Sequence, residues 1–193
     1  MKWLDTSTVS VGRTVSAWVE AMRPRVDART LAAIVQAAPR RDPGAPIVAL
    51  EAAAAQAAWQ HIHASTVERG GLLLGEPLAT DAVEQRPAVV YVRAAVAGLD
   101  DEATGFSLRL QAGVWDAARA ALLPGEVVVG WYHSHPGIGA FFSDTDRRTQ
   151  AGFFRHAFSL GWVIDPQRRE QAWFVGAQSE ALPSASVIAL AER

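Results

Sequence analysis

Tyr132-His133-Ser134-His135-Pro136, followed after six residues by Ser143-Asp144-Thr145-Asp146, is the stretch on which the reading of this 193-residue chain turns. The run from Glu126 to Tyr132 is strongly β-forming, and residues two apart on an extended strand point to the same side. His133 and His135 therefore aim both imidazoles at one point. Pro136 removes a backbone donor and ends the strand, and Gly137 and Gly139 allow the turn after it. The chain then returns with Asp146 on the first turn of a helix. Two imidazoles and one carboxylate leave an open fourth position on a tetrahedral zinc, the layout of a catalytic site, where bound water has its pKa lowered to about 7. Such a site needs a base. Glu68, just before the glycine-bounded run Gly70-Gly71-Leu72-Leu73-Leu74-Gly75, is the candidate, because a carboxylate beside that water can take its proton and pass it to a leaving amine.

Outward from this stretch, the chain alternates strands and helices. Ile47 to Leu50 is a short apolar strand, and Glu51 to Ser65 is Ala-rich and reads as a helix. Gly71 to Gly75 and Ala88 to Ala95 are strands, and Phe106 to Leu108 is a further candidate. Gln111 to Leu123 is an amphipathic helix with Val114, Trp115, Ala118 and Leu122 on one face. Asp144 to Phe158 is a helix, Gly161 to Ile164 a strand, Asp165-Pro166 a turn, and Gln171 to Val175 the last strand. Strands broken by a few helices predict an α/β fold with a mixed sheet. Before Pro46 the pattern differs: helical spacings at Thr14 to Met22 and Ala28 to Ala37, ended by Pro24 and Pro39, precede the linker Arg40 to Gly44. We divide the chain into a helical N-terminal extension, residues 1–45, and a main domain, residues 46–193. The extension is expected to pack on the main domain, with a partner-docking arm as the alternative.

Composition narrows the chemistry. Half the residues are hydrophobic and a fifth are charged, so the chain is globular. It has no cysteine. That excludes disulfides, thiolate zinc ligands, cysteine nucleophiles and the cysteine-held zinc of cytidine deaminases, so any metal must be held by His, Asp or Glu. A formal net charge of −2 offers no basic field for nucleic acid, and no partner of that kind is expected. No secretory pattern or membrane-length apolar window is present, and a cytoplasmic location is the expectation. Lys2 is the single lysine beside many arginines and alanines, a bias of GC-rich bacterial genomes.

The spacing His133-Ser134-His135-Pro136, six residues, Ser143, two residues, Asp146, with Glu68 ahead of a Gly-Leu-Leu-Leu-Gly strand, resembles the complete signature of the JAMM (MPN-plus, JAB) zinc metalloproteases, in particular the prokaryotic deubiquitinase-like branch. The resemblance covers Ile47 to Val175. It implies a curved mixed sheet flanked by helices, similar to that of cytidine deaminases. It also implies one zinc held by His133, His135 and Asp146, Glu68 as general acid/base, and Ser143 donating to the oxyanion. The implied reaction is hydrolysis after the C-terminal Gly of ubiquitin or a ubiquitin-like protein, for deconjugation or precursor processing. Activating- and conjugating-like enzymes are the implied partners, and an antiviral-defence setting is known among bacterial relatives. Two alternatives stay open: release of cysteine from a sulfur-carrier protein, and a metal-free scaffold of the same fold.

Other residues have plainer readings. Ser143-x-x-Asp146 also fits a helix capping box. His61 and His63, at a predicted helix end, do not share a face and are read as solvent-facing or cap-like. His156 is read as a surface residue of the helix after Asp146, Trp131 and Trp162 as core, and Arg147-Arg148 as a solvated helix face.

Overall fold

A computed structural model of the chain describes residues 19–37, 45–79, 87–98 and 112–191. After a helical turn at residues 19–22, the elements are α1 (Ala28–Ala37), β1 (Ile47–Glu51), α2 (Ala52–Ile62), β2 (Gly70–Ala79), β3 (Pro87–Ala97), α3 (Ala112–Ala121), β4 (Val127–Ser134), α4 (Asp144–Phe153), β5 (Leu160–Asp165), β6 (Glu170–Val175), β7 (Glu180–Leu182) and β8 (Val187–Leu190). The strands form one mixed sheet in the order β7-β6-β5-β4-β2-β3-β1-β8. The α/β mixed sheet read from the sequence is the fold observed. Strand β4, which carries both histidines, lies at its centre, antiparallel to β2 and parallel to β5.

The central strands are apolar on both faces because helices cover both. Alternation sorts their side chains between the two sides. Leu73, Tyr132, Trp162, Ile164 and Trp173 join Ala54, Ala58 and Ile62 of α2 in one core. Leu72, Leu74, Trp131, Val163 and Phe174 turn the other way, toward Val114 and Ala118 of α3 and Phe154 beyond α4. The predicted face of α3 is the buried one, with Trp115 and Leu122 packed against the same cluster. Since His133 and His135 are two and four residues from Trp131, they project to this second face.

The described part of the N-terminal segment covers the far end of the sheet. Met22, Val26 and Ile34 share a core with Ile47, Ala49, Val89 and Leu190. Arg25 adds a polar anchor: Nη2 donates to Glu76 Oε1 at 2.5 Å, and the guanidinium lies 5.0 Å from the centre of the Tyr91 ring.

Several sequence expectations are corrected. Helix α2 starts at Ala52, because Glu51 is still paired in β1 with Leu190. Strand β2 continues past Gly75 to Ala79 and includes Pro77, which is tolerated because the pairing of β4 with β2 stops at Gly75. Helix α4 ends at Phe153, not Phe158: Phe154 leaves helical geometry at φ −120°, ψ 60° and drives its ring into the core. Gln171 to Val175 is not the last strand. The short β7 pairs with β6, and β8 returns to the opposite edge to pair in parallel with β1. The predicted strand Phe106 to Leu108, most of the helix Thr14 to Met22 and the linker Arg40 to Gly44 lie outside the described residues. Among the described residues no helix is long and apolar enough to cross a membrane.

Candidate metal centre

The β2–β4 ladder sets the site. Gly70 pairs with His133, and one step further on Ser134 N–H donates to Arg69 O at 2.8 Å. The same register carried one more step puts Glu68 opposite His135. Its Oε1 is 3.5 Å from His135 Nε2. The two imidazoles converge as the strand spacing predicts, with Nε2 atoms 3.2 Å apart. Asp146 closes the group, with Oδ1 3.2 Å from His133 Nε2 and Oδ2 3.5 Å from His135 Nε2. Ligands at about 2.1 Å on a tetrahedral zinc stand about 3.4 Å apart. Three buried donor atoms gathered this closely, all within 4.8 Å of one another, therefore fit a zinc ion. Neutral imidazoles and an ionised carboxylate are also the donor types a catalytic zinc takes.

Surrounding residues hold the donors in place. Ser143 caps α4: its Oγ accepts from Asp146 N–H at 3.2 Å, and Asp146 Oδ2 accepts from Ser143 N–H at 2.7 Å. The capping box and the ligand reading thus use the same aspartate, which the cap orients toward the histidines. One turn later on α4, the buried Gln150 accepts from Trp131 Nε1–H at 2.6 Å and donates to Ser159 O and Gly176 O. Trp131 in turn stacks on His133 with centroids 4.5 Å apart and planes 10° apart. Trp131 is core, as expected, and also forms the wall behind one donor. His135 packs edge-on against Phe141, 5.0 Å between ring centres. After His135, the turn is strapped to the β5–β6 turn by the fully buried Asp165. Its Oδ1 accepts from Gly137, Gln167 and Arg168 N–H at 3.0, 2.9 and 3.0 Å, and its Oδ2 from Gly139 N–H at 2.6 Å. Gly137 and Gly139 sit at φ +82° and +96°, so both need glycine to bring their N–H groups to this carboxylate.

The electrostatics follow from burial and pairing. For Asp146, burial alone would raise the pKa, but the hydrogen bonds to His133 and His135 prevail and hold its carboxyl well below the usual range. Burial pushes His133 down, toward the neutral form a metal requires. For His135, burial also lowers the pKa, but Asp146 and Glu68 outweigh it and the imidazole is shifted up. Burial, with the Asp146 charge assisting, raises Glu68 above an ordinary glutamate despite the opposing influence of His135. A carboxyl shifted up is a better proton acceptor and donor near neutrality.

The remaining predicted residues divide. Trp162 is core, and His63 is exposed at the C-cap of α2. His61 corrects the expectation of a solvent-facing residue: it is half-buried, and its Nδ1 is 2.9 Å from Tyr132 Oη. His156 is exposed, as expected, but in the turn beyond α4, stacked on Phe158. Arg147 and Arg148 are exposed on α4. Sequence reasoning passed over Gln150 and read Asp165 only as part of a turn. The available signals were the helical spacing of Gln150 from Asp146, and an aspartate directly after an apolar strand.

Residues 48–175 match the family described as prokaryotic homologs of the JAB domain. The chain is 34% identical over 114 residues to the NAD(+) hydrolase TcpA of a Theionarchaea archaeon, covering 55% of this chain and 30% of that protein. It is 35% identical over 101 residues to the Ubiquitin carboxyl-terminal hydrolase RPN11 of Saccharomyces cerevisiae, covering 50% of this chain and 30% of that protein. The chain therefore spans about a third of the length of these relatives. A solution structure of a protein from Desulfitobacterium hafniense shares the fold at a TM-score of 0.52 and 22% identity, over 76% of this chain and 94% of that one. With two thirds of its length inside the family match and the sheet, helices and donor group in place, the chain belongs to the family of prokaryotic homologs of the JAB domain.

Proposed function

We propose that the chain is a zinc-dependent peptidase or isopeptidase that cleaves after the C-terminal Gly of ubiquitin or a ubiquitin-like protein. The observation that carries this reading is the buried group His133, His135 and Asp146 with the Glu68 carboxylate 3.5 Å from one of its nitrogens. His133, His135 and Asp146 would hold the zinc, which when bound supplies a Lewis acid for the scissile carbonyl and acidifies water. Glu68 takes a proton from the attacking water as its oxygen bonds to the carbonyl carbon. As the C–N bond breaks, Glu68 returns that proton to the leaving amine. Its Oε1 is buried and hydrogen-bonded to no described residue, so it is available for this exchange. Ser143 uses an Oγ lone pair for the helix cap, and its hydroxyl proton remains to donate to the developing oxyanion.

The ubiquitin-class substrate is supported by the name of the yeast relative. A Lewis-acidic centre beside a carboxylate suits hydrolysis of an amide, because it acts on a carbonyl oxygen. Activating- and conjugating-like enzymes and a cytoplasmic setting belong to the same reading.

The test is elemental analysis of protein purified without chelator, together with cleavage of ubiquitin fused through its C-terminal Gly to a reporter. One zinc per chain is expected, with cleavage lost in chelator and in Glu68→Ala while zinc is retained. Cleavage by a zinc-replete Glu68→Ala protein would remove the role of Glu68. Failure to bind zinc after reloading would leave a scaffold.

A further inference from the structure

We propose that Ser134, the residue between the two histidines, is a positioning residue for Glu68. In this role its hydroxyl closes the open end of the β2–β4 ladder and so sets the base opposite His135. The inference rests on Glu68 being the base.

Ser134 is fully buried and, by alternation along β4, its side chain belongs to the face opposite the imidazoles. A regular antiparallel pair at Arg69 and Ser134 would exchange two backbone bonds. One is present, Ser134 N–H to Arg69 O at 2.8 Å. The reciprocal bond goes instead to the side chain: Arg69 N–H donates to Ser134 Oγ at 3.0 Å, and Ser134 Oγ lies 3.4 Å from Arg69 O, to which its proton can donate. The hydroxyl thus replaces the last rung of the ladder, and the chain leaves the sheet at residue 69. A second hydroxyl pins the other side of the same short segment. Ser65 Oγ donates to Val67 O at 2.8 Å and accepts from Val67 N–H at 3.2 Å. Glu68 sits between these two clasps.

Nothing else described holds the Glu68 carboxylate by hydrogen bonding at Oε1. Its distance from His135 is therefore inherited from the backbone, and the backbone rung adjacent to it is Ser134 Oγ to Arg69 N–H. Removing that hydroxyl takes away the Oγ bond of the Arg69 N–H and loosens residues 67–69 while the β4 histidines stay in the sheet. The predicted loss falls on the base, not on the donors of the metal.

The experiment compares wild type, Ser134→Ala and Ser134→Thr, each also in a Glu68→Gln background, using ubiquitin fused through its C-terminal Gly to a reporter. Zinc content and amide hydrogen exchange of the segment 66–70 are measured in parallel. With Glu68 present, Ser134→Ala is expected to lower kcat about 10- to 100-fold, the scale of an outer-shell partner, with KM little changed and one zinc retained. Ser134→Thr, which keeps the hydroxyl, restores most of the rate. In the Glu68→Gln background Ser134→Ala changes the residual single-turnover rate by less than about 2-fold, because the two residues act through one group. Exchange of the Arg69 amide accelerates in Ser134→Ala with or without Glu68, and not in Ser134→Thr. An unchanged kcat, an equal loss with and without Glu68, or loss of zinc overturns the proposal. If Ser134→Ala does not fold, Ser134→Cys, similar in volume with a weak acceptor, carries the same comparisons. If the wild type cleaves nothing, the proposed function fails, and the exchange at Arg69 still decides whether the Ser134 clasp exists.

Discussion

Replacing Asp165 by Asn changes one atom in a buried strap that joins the turn after His135 to the β5–β6 turn. The carboxylate accepts four backbone N–H bonds, three on Oδ1 and one on Oδ2. Bonds to a charged acceptor contribute about 1.5–3 kcal/mol each, and neutral ones about 0.5–1.5 kcal/mol. With the amide oxygen in the place of Oδ1, the bonds from Gly137, Gln167 and Arg168 survive as neutral bonds, each weaker by about 1 kcal/mol. The amide nitrogen then faces the Gly139 N–H, donor against donor, and that buried N–H loses its acceptor at a cost of about 1–3 kcal/mol. A neutral amide avoids the desolvation of a buried charge, which offsets several kcal/mol of this. The net expectation is a destabilisation of about 2–3 kcal/mol. In urea, where domains have m-values of about 1–3 kcal/mol/M, the unfolding midpoint should fall by about 1 M with m unchanged. Because the strapped turn leads from His135 toward Ser143 and Asp146, zinc affinity should also fall, by about 10-fold. A midpoint within about 0.2 M of wild type and unaltered zinc affinity would show that this carboxylate does not hold the turn as a charged acceptor.

Further consequences can be checked with the same protein. Asp165 has its folded pKa held below the ordinary aspartate value, since the four N–H bonds prevail over burial. It therefore contributes stability that is full above about pH 3.9 and is lost as pH falls through the depressed folded value. Urea midpoints taken from pH 6 downward should show this acid loss in wild type and less of it in Asp165→Asn. Zinc at about 100 times its Kd should add about 2.7 kcal/mol and raise Tm by about 5–10 °C, with the shift reversed by chelator. An unmoved Tm would argue against a zinc site in the folded state. A Cβ at Gly161 would collide with the Cζ tip of the Phe142 ring, which is buried against Phe174 at 4.0 Å between centroids and lies 5.9 Å from the His133 ring. Gly161→Ala should accordingly cost about 1–3 kcal/mol by overpacking, seen as a lower Tm, with zinc affinity reduced as the Phe142 wall shifts.

Much of the site could be read along the chain. The spacing of two between His133 and His135 on a β-forming run was enough to predict that their nitrogens meet, because strand alternation is local and obligatory. The spacing of three between Ser143 and Asp146 was enough to predict the start of α4, because a capping box involves only one turn of backbone. The strands and helices with strong periodicity, β1, β4, β5 and α3, appear where their patterns place them. Local pattern failed where distant contacts decide. Helix α4 stops early because the core draws Phe154 in, and β8 forms because β1 offers a parallel edge far away in sequence. His61 is turned inward by Tyr132, and Gln150 is recruited by Trp131. The position of Glu68 is the clearest case. Sequence placed it before a strand, but its distance from His135 is set by the register of β2 on β4 and by the hydroxyl that ends that ladder. Local pattern sets which side chains each element presents and in what direction. Which elements lie side by side, and in what register, is settled by packing, because pairing across the sheet is selected by burial of both faces at once, a property no single segment carries.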